Sequence, residues 1–169
     1  MKKETRQKFF SSENQKWATP QKFFDRLNEA FDFKLDPCCV KETAKCKIYY
    51  TPKENGLIQD WYKIGNSFVN PPFSRELCLW VKKCYEESQK GITVVLLIPA
   101  RPDTKYWHDY IFKGKILFVK GRLKFVDAER NTPVNKQTSA FFPSAVVVFG
   151  YLSLAQKKTI RRSWSVAIE

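Results

Sequence analysis

The chain reads as an α/β fold, a mostly parallel central sheet with helices on both faces, and three observations lead there. A short strand, a crossover helix and a second strand follow one another between Asn66 and Ile98. The run Thr93-Val94-Val95-Leu96-Leu97-Ile98 is continuously β-branched or aliphatic, as in strands covered on both faces. Helical and short apolar stretches alternate along most of the chain, the pattern of βαβ units. At 169 residues there is room for one core and no large second domain.

Taken in order, residues 1–16 are polar and basic without sustained periodicity and read as a flexible basic arm. Thr19 and Pro20 start a helix over 20–31, as N-cap and first helical residue, with Phe23, Phe24, Leu27, Ala30 and Phe31 on one face. Phe33-Lys34-Leu35 is a short strand that stops at Asp36-Pro37, because proline cannot donate to a sheet ladder. Ile48 to Thr51 is a second strand, closed by Pro52 and Asn55-Gly56. Ser67-Phe68-Val69 leads into a helix capped by Ser74, with Leu77, Trp80, Val81, Cys84 and Tyr85 on one face and Gly91 at its end. Strand, helix and the buried run 93–98 form a right-handed crossover, and open α/β sheets bind ligands at the carboxyl ends of their strands. Asn70-Pro71-Pro72-Phe73 falls at such an end.

Asp103 or Thr104 begins another helix, with Trp107, Tyr110 and Ile111 apolar, and strands follow at 116–119, 123–126 and 145–149. Asp127 to Ser139 is polar and proline-broken, hence a surface loop, and 152–164 forms a basic terminal helix.

A net charge of +13 and a pI near 9.6 accompany a hydrophobic fraction of 43%, so the protein is both folded and strongly basic. That surplus points to a polyanion, nucleic acid first, because each phosphate neutralised by Lys or Arg releases condensed counterions. No run approaches the roughly 18 apolar residues of a membrane span, and the N-terminus lacks a signal-peptide core, so a cytosolic protein is expected. Cys38, Cys39, Cys46, Cys78 and Cys84 contain no C-x-x-C pair; they read as reduced, mostly buried small hydrophobes, with no metal site.

The tetrapeptide 70–73 has its own chemistry. An exocyclic amino group on a purine is a poor nucleophile because its lone pair is delocalised into the ring. The Asn70 side-chain oxygen and the Pro71 carbonyl are two acceptors that draw such a nitrogen toward tetrahedral geometry. Consecutive prolines fix φ and stiffen the turn before substrate arrives. Phe73 offers a face on which an extruded base stacks. Read alone, the same residues also describe a proline-terminated strand before a helix.

The chain resembles the small phage-type N-6-adenine DNA methyltransferases, the Dam family, over roughly 17–151. The resemblance is carried by Trp17-Ala18-Thr19-Pro20, Leu35-Asp36-Pro37-Cys38, Asn55-Gly56-Leu57 with Asp60-Trp61, and Phe68 to Ser74. It continues through Trp80-Val81, Leu97 to Arg101 with Asp103-Thr104, Gly121 to Phe125, and Pro143-Ser144-Ala145. What it implies is a Rossmann-like methyltransferase domain over 17–169 with no separate large target-recognition domain, and with an antiparallel C-terminal strand. The implied reaction is transfer of a methyl group from S-adenosylmethionine to N6 of adenine in double-stranded DNA, by Asn70, Pro71, Pro72 and Phe73. By the same resemblance Thr19, Pro20, Asp36, Pro37, Glu54 and Asp60 bind the cofactor. Asp36-Pro37 takes the place of a glycine-rich loop, since the chain has no G-x-G. Phe73 stands where the family most often has tyrosine. Arg101, Arg122 and Lys136 are candidate DNA contacts, with Arg101 and Asp103 alternatively paired to one another, and His108 is read as structural. A phage-encoded enzyme of this kind works in the bacterial host's cytoplasm. Cytosine N4, adenine in RNA, and a non-catalytic DNA-binding module stay open at this point.

Overall fold

The computed structural model describes residues 17–127, 138–140 and 142–165; the N-terminal arm, Lys136 and most of the loop expected at 127–139 lie outside them. In chain order the elements are β1 Trp17–Ala18, α1 Gln21–Phe31, β2 Leu35–Asp36, β3 Ile48–Tyr49, β4 Ser67–Val69, α2 Leu77–Ser88 and β5 Val94–Pro99. After these come α3 Lys105–Asp109, β6 Lys115–Phe118, β7 Lys124–Asp127, β8 Thr138–Ser139, β9 Ser144–Phe149 and α4 Leu154–Ser165.

Six strands form the central sheet in the order β3-β2-β4-β5-β9-β6. β3, β2, β4 and β5 are mutually parallel, and β9 runs antiparallel between β5 and β6. The expected mostly parallel sheet with an antiparallel C-terminal strand is therefore present. β1, β7 and β8 make a separate small antiparallel sheet that carries the chain just before α1 back to the β6–β7 turn.

The sheet is covered on both faces because β5 and β9 are apolar at every position but Ser144, and the pleat sends alternate side chains to opposite sides. Phe68, Val95, Leu97, Val146 and Val148 join Phe23, Phe24, Leu27 and Phe31 of α1 and Ile160 of α4 in one cluster. Val69, Val94, Leu96, Ile98, Val147 and Phe149 pack with Leu77, Trp80, Val81 and Cys84 of α2 and with Trp107 on the other face. Asn66 ties these layers together: its amide donates to the Phe31 carbonyl at 2.7 Å and accepts from the Thr93 N–H at 3.0 Å.

Local corrections concern caps. Thr19 does not cap α1; Pro20 occupies that position, with no side-chain bond, and the Thr19 hydroxyl has no hydrogen-bond partner among the described residues. Ser74 accepts from the Glu76 N–H at 3.2 Å in a separate turn, so α2 starts one turn later, at Leu77. Pro20 is itself the N-cap, with φ −55° and ψ 135°, so Thr19 lies one residue outside the cap position.

Candidate active site

The order of the strands places the site. From β2 the chain moves outward to β3, and from β4 it moves the other way to β5, so the direction of progression reverses between the neighbours β2 and β4. The crevice outside the carboxyl ends of two such strands is where an open α/β sheet takes a ligand. Leu35 is in register with Ser67, which sets Asp36-Pro37-Cys38 beside the residues leading into Asn70.

Asn70-Pro71-Pro72-Phe73 follows Val69 directly, with Pro71 and Pro72 buried and Asn70 and Phe73 half-buried. The turn is anchored by its prolines while its two ends reach the surface of the crevice. Phe73 meets Phe142 edge-on at 5.3 Å and Phe125 at 6.2 Å, ring centre to ring centre, so its orientation is set by two neighbouring rings. The Arg101 guanidinium, just past β5, lies 5.9 Å from the centre of the Phe142 ring.

A cleft of about 230 Å³ opens on the β2–β3 side of this turn, lined by Pro37, Cys38, Tyr50, Thr51, Asn55, Gly56, Leu57, Glu76 and Trp80 among others. Its loop is held from several directions. Asn55 adopts a left-handed φ of 52° with its side chain accepting from the Leu57 N–H at 3.3 Å. The indole of Trp61 donates to the Gly56 carbonyl at 2.8 Å and stacks on Trp80. A side chain at Gly56 would place its Cβ 2.0 Å from the Pro37 carbonyl oxygen, so only glycine permits this approach of the two backbone segments.

Asp36 sits behind the cleft wall, 3% exposed. Its carboxylate accepts from the Cys38 N–H at 3.4 Å and the Lys45 N–H at 3.0 Å. Burial pushes the carboxyl up from 3.8 to about 6, against the lowering effect of these two bonds. The nearby thiols are pushed the same way by burial, Cys46 to about 12 and Cys38 far above the ordinary range, so neither supplies a thiolate. The cysteines are free, Cys38, Cys39 and Cys84 buried and Cys78 exposed.

The remaining candidates divide by position. Thr19 is 2% exposed and its hydroxyl has no hydrogen-bond partner among the described residues. Glu54 is exposed in the loop between the cleft residues Pro52 and Asn55, and its carboxylate accepts from the N–H and hydroxyl of Thr51, bonds that hold it below the usual carboxylate range. Asp60 is elsewhere: it pairs with Lys63 at 2.7 Å and with Lys90, which precedes the amino end of β5, and it does not line the cleft. Arg122 is exposed in the β6–β7 turn, and because β6 is parallel to β5 that turn emerges at the same sheet edge as Arg101. His108 is exposed, its ring edge-on to Phe112. Lys136 lies outside the described residues.

Tyr50, Thr51 and Trp80 are cleft residues to which the sequence alone assigns no role. Their types give no signal by themselves, since an aromatic beside a strand end or on the apolar face of a helix is ordinarily core. Only the register between β2 and β3 turns Tyr50 into a wall.

Over residues 6–161 the chain matches the family described as DNA N-6-adenine-methyltransferase (Dam). The chain belongs to the Dam family. Similar proteins include a DNA N-6-adenine-methyltransferase of Haemophilus phage HP1 (strain HP1c1), 26% identical over 142 residues that make up 82% of this chain and 80% of that one. Another, of Escherichia phage T1, is 28% identical over 92 residues, 54% of this chain and 38% of its own. The putative methyltransferase YfdM of Escherichia coli (strain K12) is 38% identical over 63 residues, 34% of this chain and 69% of its own. As a phage-type Dam protein the chain is an adenine-specific DNA methyltransferase, and its basic charge of +13 suits that substrate. No helix among the described residues is long and apolar enough to cross a membrane.

Proposed function

We propose that this Dam-family enzyme transfers a methyl group from S-adenosylmethionine to N6 of adenine in double-stranded DNA, on a base extruded from the duplex. The observation that carries the reading is the position of Asn70-Pro71-Pro72-Phe73, which ends β4 at the reversal point of the sheet, beside a cleft lined by Tyr50 and Trp80.

The cleft's chemistry fits the nucleoside half of the cofactor. Tyr50, Leu57 and Trp80 supply apolar and aromatic surface for a purine, and Thr51 and Asn55 supply polar groups for its edge and ribose. The buried hydroxyl of Thr19, without a partner among the described residues, and the buried carboxyl of Asp36 suit the polar amino-acid end. Pro37 shapes the wall between the two, Pro20 starts the helix that presents Thr19, and Glu54 serves by fixing the Thr51 turn. Asp60, paired with Lys63 at the surface, is not among the residues that line this cleft.

Bound there, S-adenosylmethionine supplies a methyl group on a sulfonium already activated toward a nitrogen nucleophile. The protein's part is to present the amine. Asn70 Oδ1 and the Pro71 carbonyl accept the two N–H groups of adenine N6, which localises the nitrogen lone pair. Pro72 keeps the turn stiff, and Phe73 stacks on the base, a contact of about 1–3 kcal/mol. The surplus proton leaves to solvent after the nitrogen has been alkylated, so a dedicated base is not required. Arg101 and Arg122 emerge at the same edge and are placed to meet phosphates, with Lys136 a further candidate. Activity in the cytoplasm of a bacterial host follows from a phage-type enzyme acting on DNA.

The test is incubation of unmethylated DNA with the protein and labelled S-adenosylmethionine, followed by nucleoside mass spectrometry. N6-methyl-2′-deoxyadenosine is expected, with a loss of about 100-fold or more in rate for Asn70→Ala. Label in N4-methylcytosine would overturn the adenine assignment, and label nowhere in DNA would overturn the reaction.

A further inference from the structure

The sheet edge next to the cleft carries a second, polar constellation that the methyl-transfer chemistry above does not use. Lys45 gives its backbone N–H to the buried Asp36 carboxylate, and its side chain then crosses to α1, where Nζ donates to Gln21 Oε1 at 2.9 Å. Gln21 is the first residue of this 11-residue helix, whose N-terminus has no side-chain cap. Just before it in sequence lies Thr19, 2% exposed, with a hydroxyl that bonds to nothing among the described residues. Lys45 thus links a buried carboxylate to the first residue of an uncapped helix, two residues after an orphaned buried hydroxyl.

Each of these features has a physical complement in a free α-amino acid. A helix N-terminus and a lysine attract a carboxylate, and an unpartnered buried hydroxyl has a hydrogen bond to give. A buried carboxyl attracts an ammonium. Burial lowers the Lys45 ammonium below its ordinary value, partly offset by Asp36 and Asp25, and an incoming carboxylate would favour the charged form in the same sense as those two carboxylates.

From this juxtaposition we infer that Lys45 binds the α-carboxylate of the cofactor's amino-acid end, together with the Thr19 hydroxyl and the first turn of α1, while Asp36 receives its ammonium. The inference rests on the cofactor reading proposed above. It gives this chain, which has no G-x-G, a built seat for the carboxylate. Lys45 is a binding residue on this account and touches neither the methyl group nor the DNA base.

Two ligands separate it from a structural role. S-adenosylhomocysteine carries the amino acid; 5′-methylthioadenosine keeps the nucleoside and sulfur but lacks both charged groups. Isothermal titration of the full chain is expected to show Lys45→Ala weakening S-adenosylhomocysteine by about 10- to 100-fold, the usual worth of a charge-assisted hydrogen bond. Binding of 5′-methylthioadenosine is expected to stay within about twofold, and Lys45→Arg is expected to recover most of the lost affinity. Unchanged binding of S-adenosylhomocysteine by Lys45→Ala, or an equal loss for both ligands, overturns the inference. Failure of the wild-type protein to bind S-adenosylmethionine, S-adenosylhomocysteine or the nucleoside removes the cofactor reading itself, and this inference with it.

Discussion

Replacing Asp36 by asparagine should change how the stability of the ligand-free protein depends on pH, and the size of the change can be worked out. Burial raises the Asp36 carboxyl from 3.8 to about 6. A raised native value means that folding favours the protonated form, so the contribution to stability is fully present below 3.8, where the carboxyl is neutral in both states. As pH rises the unfolded chain ionises first, and the contribution disappears as pH passes through about 6. The interval between these two values, at ~1.4 kcal/mol per pK unit, amounts to about 3 kcal/mol. The asparagine amide cannot ionise and keeps one oxygen to accept from the Cys38 or Lys45 N–H; the acceptor lost in the exchange imposes a pH-independent cost of about 1–3 kcal/mol. Urea unfolding followed by tryptophan fluorescence from pH 4 to 8 isolates the effect, since every other carboxylate is common to both proteins. The difference between wild type and Asp36→Asn should move by about 3 kcal/mol in favour of the variant as pH rises, mostly between pH 4 and 6.5. Parallel pH profiles would show that the carboxyl is solvated in the folded protein, and with that the account of Asp36 as a poised anion fails.

Other substitutions probe the rest of the edge. Gly56→Ala forces a Cβ to within 2.0 Å of the Pro37 carbonyl oxygen, so it should separate the cleft walls, lower stability by about 1–3 kcal/mol and weaken nucleoside binding at least tenfold by calorimetry. Phe73→Ala should lower kcat/KM for DNA by about 5- to 150-fold, the equivalent of 1–3 kcal/mol of base stacking, while cofactor binding is unchanged and Phe73→Tyr remains active. Glu87 is fully buried and accepts from the Trp61 and Tyr62 N–H groups and from Lys83 and Lys90. Burial alone would raise its carboxyl, but the two lysines bring it below the usual range, so its contribution is present at neutral pH and lost as pH falls. Glu87→Ala should therefore destabilise the protein at pH 7 by about 3–5 kcal/mol in denaturant titration, leaving the unpaired groups of the loop after the cleft behind.

The fold was legible because its signals are local. Continuous aliphatic runs at 94–98 and 145–149 belong only in strands covered on both faces, and the spacing of Phe23, Phe24, Leu27 and Phe31 belongs only in a helix with one buried face. Caps were less legible. Thr19-Pro20 satisfies the pattern of a capped helix, yet the helix starts one residue later with Pro20 as its N-cap, and the threonine hydroxyl has no partner among the described residues. A sequence rule that scores residue types cannot see whether a hydroxyl is spent on its own backbone.

The site was legible in proportion to how far its geometry is set by consecutive residues. Asn70 to Phe73 is a single rigid turn, so its chemistry could be read from four letters. The cleft is different, because its walls come from separate stretches, 37–39, 50–57 and 76–80, joined by strand register and by one glycine. Asp60, beside Trp61 in a matching motif, reads as a ligand from its position, while the fold sets its carboxylate against Lys63 and near Lys90, away from the residues that line the cleft. Lys45 illustrates the converse. It sits in a stretch of charged and cysteine residues with no motif, and only the crossing of its side chain to Gln21 brings it to the first residue of α1, two residues after a buried hydroxyl with no partner among the described residues. Residues whose role depends on long-range register therefore have to be found by asking which buried polar groups the fold leaves unsatisfied, and in this enzyme that question leads to Thr19 and, through Gln21, to Lys45 and Asp36.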